Sequence, residues 1–243
     1  MRTSIKYALL GVICFAMASC ELIEEDLGYR YRESFLTHYT QIDKNTIDDV
    51  KILSYKTSQS FEPYFRYYHK ISLTWGAKTI ACVESTDVEL TENFKELSNH
   101  YGDNTYNRKV MDLRYHDERA LADQFASIQI VSDADFDENH PAGSSLADLI
   151  MCLYGTYWPY IQSNYLDTPD NSHAKSVDVL KLVKELTVED LTLIRTTDKF
   201  CLNLYFLSQP TIALQHNFTI TMTTVEGEEY KYIVPVDLNT TEQ

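Results

Sequence analysis

Three aspartates at alternate positions, Asp133, Asp135 and Asp137, have the spacing of a calcium-binding loop. Successive carboxylates at this spacing supply hard oxygen ligands to one cation. An EF-hand loop also requires glycine at its sixth position and a bidentate acid at its twelfth, where this chain has Glu138 and Ser144. Two interpretations stay open: a calcium site of another type, or a strand that ends in a turn where aspartate accepts hydrogen bonds from its own backbone.

His116 places a candidate base beside two acids, Asp117 and Glu118. Metal or general-base chemistry needs partners at a fixed spacing, such as His-Glu-x-x-His on one helix face, and the sequence has no such pattern. No serine lies in Gly-x-Ser-x-Gly, and the seven glycines form no phosphate-binding loop. We therefore predict no cofactor and no catalysis. A hydrolase that uses two carboxylates about 5–9 Å apart is kept as an alternative, because an acidic chain can contain such a pair without a signature.

The 18 tyrosines are the most unusual feature of the composition. One aromatic segment contains the residues that we predict to stack on a ligand, and these are Tyr154, Tyr157, Trp158 and Tyr160. A second segment spans 64–68. Rigid aromatic rings with a polar end can stack on sugars or contact a protein partner. They are also common half-buried packing residues in strands, so a core role is the alternative.

The chain begins with a segment that has the properties of a secretion signal. Arg2 and Lys6 supply positive charge, and residues 7–18 form an apolar stretch that is too short for a permanent membrane span of roughly 20 residues. The small residues Ala18 and Ser19 directly precede Cys20. This sequence resembles the lipobox of bacterial lipoproteins, which implies cleavage before Cys20 and attachment of a lipid to its thiol.

Acidic residues follow the proposed anchor directly, at Glu21, Glu24, Glu25 and Asp26. The run is similar to the signal by which Bacteroidetes lipoproteins reach the outer face of the outer membrane. The resemblance implies a lipid-anchored protein of the outer membrane that is exposed at the cell surface. The alternative is a solvated tether that like charges keep extended.

The charge of the chain excludes some classes of partner. The formal net charge is -15, and it becomes -17 when Arg2 and Lys6 leave with the signal segment. Nucleic acids and anionic membrane surfaces are bound through Lys and Arg, so neither is an expected partner. Cys82, Cys152 and Cys201 form no Cys-x-x-Cys pair, and their apolar surroundings predict buried thiols.

Hydrophobic patterns predict a mainly β fold. Apolar alternation predicts strands over 48–56, 61–75, 79–83, 125–131, 200–207, 216–224 and 229–236. Gly227 is expected to form the tight turn of the last hairpin. Helices are predicted from Ser145 to Leu153, near Ser176 and at Thr187, and the polar segment 85–123 is expected to be a long connection with some helix. A terminal run of three strands is typical of immunoglobulin-like sandwiches.

Two further stretches, 128–149 and 202–211, together with the last hairpin, resemble a family of uncharacterised Bacteroidetes lipoproteins. The resemblance implies location and fold, and it names no activity and no catalytic residue. We predict a signal peptide over 1–19, a lipidated cysteine and acidic tether over 20–30, and one domain over 31–243. That domain is expected to be an immunoglobulin-like β-sandwich with helical insertions.

The expected function is that of a non-catalytic binding or accessory module, anchored to the membrane by lipid, for a protein or glycan partner at the cell surface. A structural or assembly lipoprotein without a small ligand is the first alternative, and the carboxylate-based hydrolase is the second.

Overall fold

The computed structural model describes residues 29–44, 46–61, 64–111, 117–166 and 175–239. These ranges are mainly β, as predicted. The strands are β1 (Tyr29–Arg32), β2 (His38–Ile42), β3 (Asp49–Phe61), β4 (Phe65–Cys82), β5 (Arg108–Met111), β6 (Arg119–Leu121), β7 (Phe125–Ser132), β8 (Ile150–Thr156), β9 (Val177–Leu182), β10 (Arg195–Thr196), β11 (Lys199–Phe206), β12 (Gln215–Thr224) and β13 (Glu229–Asp237). The helices are α1 (Val88–Tyr101) and α2 (Trp158–Gln162), and a 3-10 turn spans Val183–Glu185. Neither α-helix is long and apolar enough to cross a bilayer. The signal segment, Cys20, the acidic residues after it and His116 lie outside the described residues.

Eight strands form the large sheet, in the order β10-β6-β2-β4-β11-β8-β9 with β3 also paired to β4. Its longest strand, β4, has apolar residues at every second position, and Ile71, Leu73 and Trp75 are each at most 1 % exposed. The period of two places these side chains on one face and the residues between them on the other. Strand is confirmed in both segments, 61–75 and 79–83, but the prediction that they are separate strands is wrong, because Gly76 pairs with Lys199 of β11 and β4 continues through it.

Three strands form the small sheet, in the order β13-β12-β7. Phe218, Ile220 and Met222 of β12 alternate with threonines and are about 1 % exposed. The predicted hairpin between β12 and β13 is confirmed, and Gly227 has a φ of 87° in its turn. Glycine suits this position because a side chain is strained at positive φ.

The two sheets pack face to face and enclose the main core. The Trp75 ring lies 5.2 Å from Phe200 on the same sheet and 5.1 Å from Tyr232 of the small sheet. Phe206 and Phe218 make a similar contact across the sheets, at 5.4 Å. Complete burial of one such side chain stabilises a fold by roughly 1.5–3 kcal/mol. This layered arrangement is a β-sandwich, while its specifically immunoglobulin-like topology stays a prediction.

A second, smaller cluster of buried hydrophobic side chains lies under α1. The helix begins at the N-cap Asp87, whose Oδ1 accepts a hydrogen bond from the Glu89 N–H at 3.0 Å, and it ends at Gly102 with a φ of 71°. Phe94 and Tyr101 of the helix contact Tyr39 of β2, at 5.4 and 5.9 Å between rings. The helix expected within 85–123 is therefore present and has its own core.

The helix predicted from Ser145 to Leu153 is wrong. Turns occupy 142–149, where the Ser145 Oγ accepts a hydrogen bond from the Ala147 N–H at 3.2 Å, and strand β8 begins at Ile150. Ile150 and Cys152 alternate into the core and are 0 % exposed. Pairing of β8 with both β11 and β9 satisfies its backbone, so tertiary pairing decides between two periods that a short apolar run leaves ambiguous.

The two shorter predicted helices also differ from the structure. Residues after Ser176 form strand β9. The capping pattern at Thr187 does form, because the Thr187 N–H donates to Asp190 Oδ2 at 2.9 Å and the Asp190 N–H donates to Thr187 Oγ1 at 3.3 Å. Only one turn follows it, since the chain then bends at 192–193 and buries Leu191, Leu193 and Ile194 in the core.

Candidate functional site

The outer face of the large sheet, on the side away from the core, has a polar centre. Ser72 of β4 pairs with Asn203 of β11, and its Oγ donates a hydrogen bond to Asn203 Oδ1 at 2.8 Å. One step along the same strands, Thr74 pairs with Cys201, and its Oγ1 lies 3.8 Å from the Cys201 Sγ. These side chains are partly or fully exposed. The sequence folds in this way because both strands alternate apolar inward residues with small polar outward ones.

A cleft of about 490 Å³ opens on this face where β8 separates from β11. The two strands pair from Ile150 to Leu153, and beyond Leu153 strand β8 pairs with β9 and not with β11. We call this space the outer cleft. Its lining includes Thr74, Gly155, Asp178, Arg195, Lys199, Cys201 and Asn203.

Arg195 occupies the gap between the separated strands. It belongs to the two-residue strand β10, and its guanidinium lies over Gly155, where an added Cβ would be 3.2 Å from the Arg195 Cζ. The Nη1 donates a hydrogen bond to Ser176 Oγ at 2.8 Å. Absence of a side chain at Gly155 is therefore what lets the guanidinium lie against the sheet.

Aromatic side chains close one end of the outer face. Tyr205 follows Cys201 and Asn203 on the outward side of β11, and the hairpin between β3 and β4 covers it. Its ring lies 5.0–5.5 Å from Phe61, Phe65 and Tyr67. Burial, with a smaller effect of the nearby Cys201 thiol, raises the pKa of Tyr205. The ring is therefore neutral, and it lies at one end of the outer face.

A second groove, of about 670 Å³, runs along β9 and α2. We call it the edge groove. Asp178 lines both the edge groove and the outer cleft, so the two spaces adjoin at this residue. The edge groove is lined by Tyr64, which is 68 % exposed, and by the partly exposed Trp158. A polar cleft with a cation thus adjoins a groove with two accessible rings.

The structure separates the four residues that were predicted to stack on a ligand. Tyr154, Tyr157 and Tyr160 are at most 7 % exposed and belong to the core, so they are not available for stacking. Tyr154 occupies an inward position of β8, and the other two pack against Phe35 with ring distances of 5.3 and 5.0 Å. Trp158 is partly exposed and lines the edge groove.

The three aspartates of the calcium hypothesis point to separate partners. Asp133 accepts hydrogen bonds from the backbone N–H and side-chain amide of Asn217, both at 2.7 Å. Asp135 Oδ1 accepts from the Ala142 N–H, and Asp137 Oδ1 accepts from the Asn139 and His140 N–H groups. In the described ranges no three His, Cys, Asp or Glu residues are grouped to hold a metal ion. The turn interpretation is the one that these contacts fit.

Other sequence candidates are also dispersed. Asp117, next to His116, forms an ion pair with Arg119 at 2.6 Å, and Glu118 lies 3.5 Å from Arg32. Cys152 is buried as predicted, and burial raises the pKa of its thiol. The prediction of a buried thiol is wrong for Cys201, which is exposed because it occupies an outward position of β11.

Sequence reasoning missed the residues that form the cleft. Arg195, Asn203 and Gly155 are common residue types in no recognisable motif, and only strand register brings them together. One feature of the sequence could have indicated the cleft. Ser72 and Thr74, the residues between the buried positions of the strand, are small and polar. No family model, curated protein or solved structure matches the chain.

Proposed function

We propose that the chain is a lipid-anchored protein of the cell surface that binds a glycan without transforming it. The observation that carries this proposal is that the outer cleft and the edge groove adjoin, with Asp178 in the lining of both. Sugars are bound by hydrogen bonds to their hydroxyl groups and by stacking of their apolar ring faces on aromatic side chains. Asn203 and Arg195 of the outer cleft provide hydrogen-bonding groups, and Tyr64 and Trp158 of the edge groove provide aromatic rings for stacking.

The anchor and location belong to the same proposal. The lipobox-like sequence ending at Cys20 and the acidic run after it support a domain tethered to the outer face of the outer membrane. A binding module in this location meets glycans outside the cell. The immunoglobulin-like topology is also proposed, and two facing sheets with a long terminal hairpin support it.

Glycan binding is tested through Cys201, which lies exposed in the outer cleft. We expect a bound oligosaccharide to slow maleimide modification of Cys201, because the ligand covers the thiol. Peptide mass spectrometry follows each cysteine separately in the full chain, across a panel of neutral and acidic oligosaccharides. Cys82 does not line either space and is the internal control.

Variants make the same test specific. Trp158→Ala and Tyr64→Ala are each expected to weaken protection about fivefold to tenfold, since an aromatic contact contributes about 1–1.5 kcal/mol. Tyr31→Ala removes a tyrosine that is 62 % exposed but lines neither space, and it should change nothing. Failure of every glycan in the panel to protect Cys201 would overturn the proposed function.

Surface location has an independent test. Protease added to intact cells should remove the domain, because the proposed anchor places it outside the outer membrane. Cys20→Ser should abolish membrane attachment, whereas Cys14→Ser should not. Complete protection of the domain in intact cells, with digestion after lysis, would contradict surface display.

A further inference from the structure

The outer cleft has the opposite charge character to the chain that contains it. The chain has 36 acidic residues against 21 Lys and Arg, yet the charged residues that line the cleft are two cations, Arg195 and Lys199, and one acid, Asp178. In the described ranges, some other cations pair with acids, such as Lys181 with Asp190 at 2.7 Å and Arg119 with Asp117 at 2.6 Å. No ion pair of Arg195 or Lys199 is found among the described residues.

The guanidinium of Arg195 is positioned by neutral groups. Its Nη1 donates to Ser176 Oγ at 2.8 Å, and its plane lies over the backbone of Gly155. Guanidinium has five donors in a planar arrangement, so a hydroxyl partner leaves donors for a planar acceptor. Carboxylate is the acceptor that matches this geometry with two parallel hydrogen bonds.

We propose that the outer cleft takes a sugar that carries a carboxylate, and that Arg195 binds the carboxylate. This inference rests on the proposed function, and it names the substrate class of that site. Lys199 adds positive charge at the same cleft, while the Asn203 amide donates hydrogen bonds to the ring hydroxyls and the Asp178 carboxylate accepts hydrogen bonds from them. An acidic chain would repel such a ligand elsewhere on its surface, so the two cations also set where the ligand binds.

Trigalacturonic acid and its methyl ester are a matched pair of probes, since they share the same rings and differ in the charge of the carboxylate. Protection of Cys201 in the full chain measures binding of each. We expect the acid to bind at least about tenfold more tightly than the ester, because a hydrogen bond to a charged group contributes about 1.5–3 kcal/mol. The difference should shrink at high salt, since the paired charges are solvent-exposed.

Two variants locate the effect. Arg195→Gln should remove the preference for the acid, so that the variant binds the acid and the ester with similar affinity. Gly155→Ala keeps every charge but places a Cβ about 3.2 Å from the guanidinium, so it should displace Arg195 and weaken binding of the acid. Lys231→Gln removes an exposed cation of the small sheet and is the charge-matched control. The folded state of each variant is checked by the unreactive, buried Cys152.

The outcomes separate the two proposals. Equal protection by the acid and the ester, or a preference that survives Arg195→Gln, would overturn the carboxylate assignment and leave glycan binding in place. Equal protection by a tetraglutamate peptide would overturn the assignment to a sugar. Absence of protection by acidic and neutral glycans alike would overturn the proposed function together with this inference.

Discussion

Asp103→Ala is expected to lower the free energy of unfolding by about 3–5 kcal/mol. The carboxylate is 0 % exposed and follows the C-terminal cap of α1. It accepts hydrogen bonds from the Phe35 and Leu36 N–H groups, both at 2.8 Å, and from the Tyr165 hydroxyl at 2.9 Å. Each buried N–H that loses its acceptor costs about 1–3 kcal/mol, and the alanine leaves a cavity beside them.

Asp103→Asn should lose less stability than Asp103→Ala, because the amide keeps the volume and one acceptor oxygen. Burial raises the pKa of Asp103 to about 6, against the opposing effect of its three hydrogen bonds. The folded chain therefore binds this proton more tightly than the unfolded chain. The part of the free energy of unfolding that comes from proton binding at Asp103 is largest below about pH 4, and it falls as the pH rises through about 6.

Urea denaturation of the wild type and both variants at pH 7.5 measures these differences. Asp49→Ala is a matched control, since Asp49 is exposed and its 3.6 Å pair with Lys51 is a surface ion pair that contributes little. A loss below about 1 kcal/mol for Asp103→Ala would show that this carboxylate does not hold the loop before β2 to the helix.

Strand alternation was the part of the fold that local sequence determined. Phe218, Ile220 and Met222 alternate without interruption, and their segment forms β12 at the predicted place. The segment from Ser145 was predicted incorrectly because Leu146, Leu149 and Leu153 fit a helical period while Ile150 starts a strand period. Pairing with β11 and β9 determines that this segment is a strand and not a helix. A local sequence pattern contains no information about those partner strands.

The candidate site was less predictable than the fold. Trp158 was expected at a binding surface and does line the edge groove. Tyr157 and Tyr160 are also aromatic and lie within two positions of Trp158 in the sequence, yet Phe35 packs against both. Their burial depends on a loop more than 100 positions away in the chain. The outer cleft depends on register in the same way, since Thr74 meets Cys201 only in the assembled sheet.

His69 gives the second large expected effect, which depends on pH. Its side chain is on the inward side of β4 and 1 % exposed, and neither ring nitrogen has a hydrogen-bond partner in the described ranges. Burial, with a smaller contribution from His216, lowers the pKa of His69 to about 4. His216 differs, because its two nitrogens lie 2.7 Å from Ser132 Oγ and 2.9 Å from the Ala213 carbonyl, which suits a neutral ring.

The pKa of His69 is about 4 in the folded chain and near 6.5 in the unfolded chain, so between these values the unfolded chain binds more protons. The free energy of unfolding should therefore fall by about 3 kcal/mol from this residue as the pH drops from 7 to 4. His69→Leu removes the titrating group without removing a hydrogen bond, so its stability at pH 7.5 should lie within about 1 kcal/mol of the wild type.

Urea denaturation at four pH values between 7.5 and 4 compares His69→Leu with the wild type. Asp103 titrates in both proteins, so its effect on the free energy of unfolding cancels in the comparison. The variant should become the more stable protein as the pH falls, with the gap approaching about 3 kcal/mol at pH 4. His100→Gln, which removes an exposed histidine of α1, should follow the wild type. Parallel curves for His69→Leu and the wild type would mean that His69 gains a partner or solvent on protonation, and that the buried ring does not limit stability in acid.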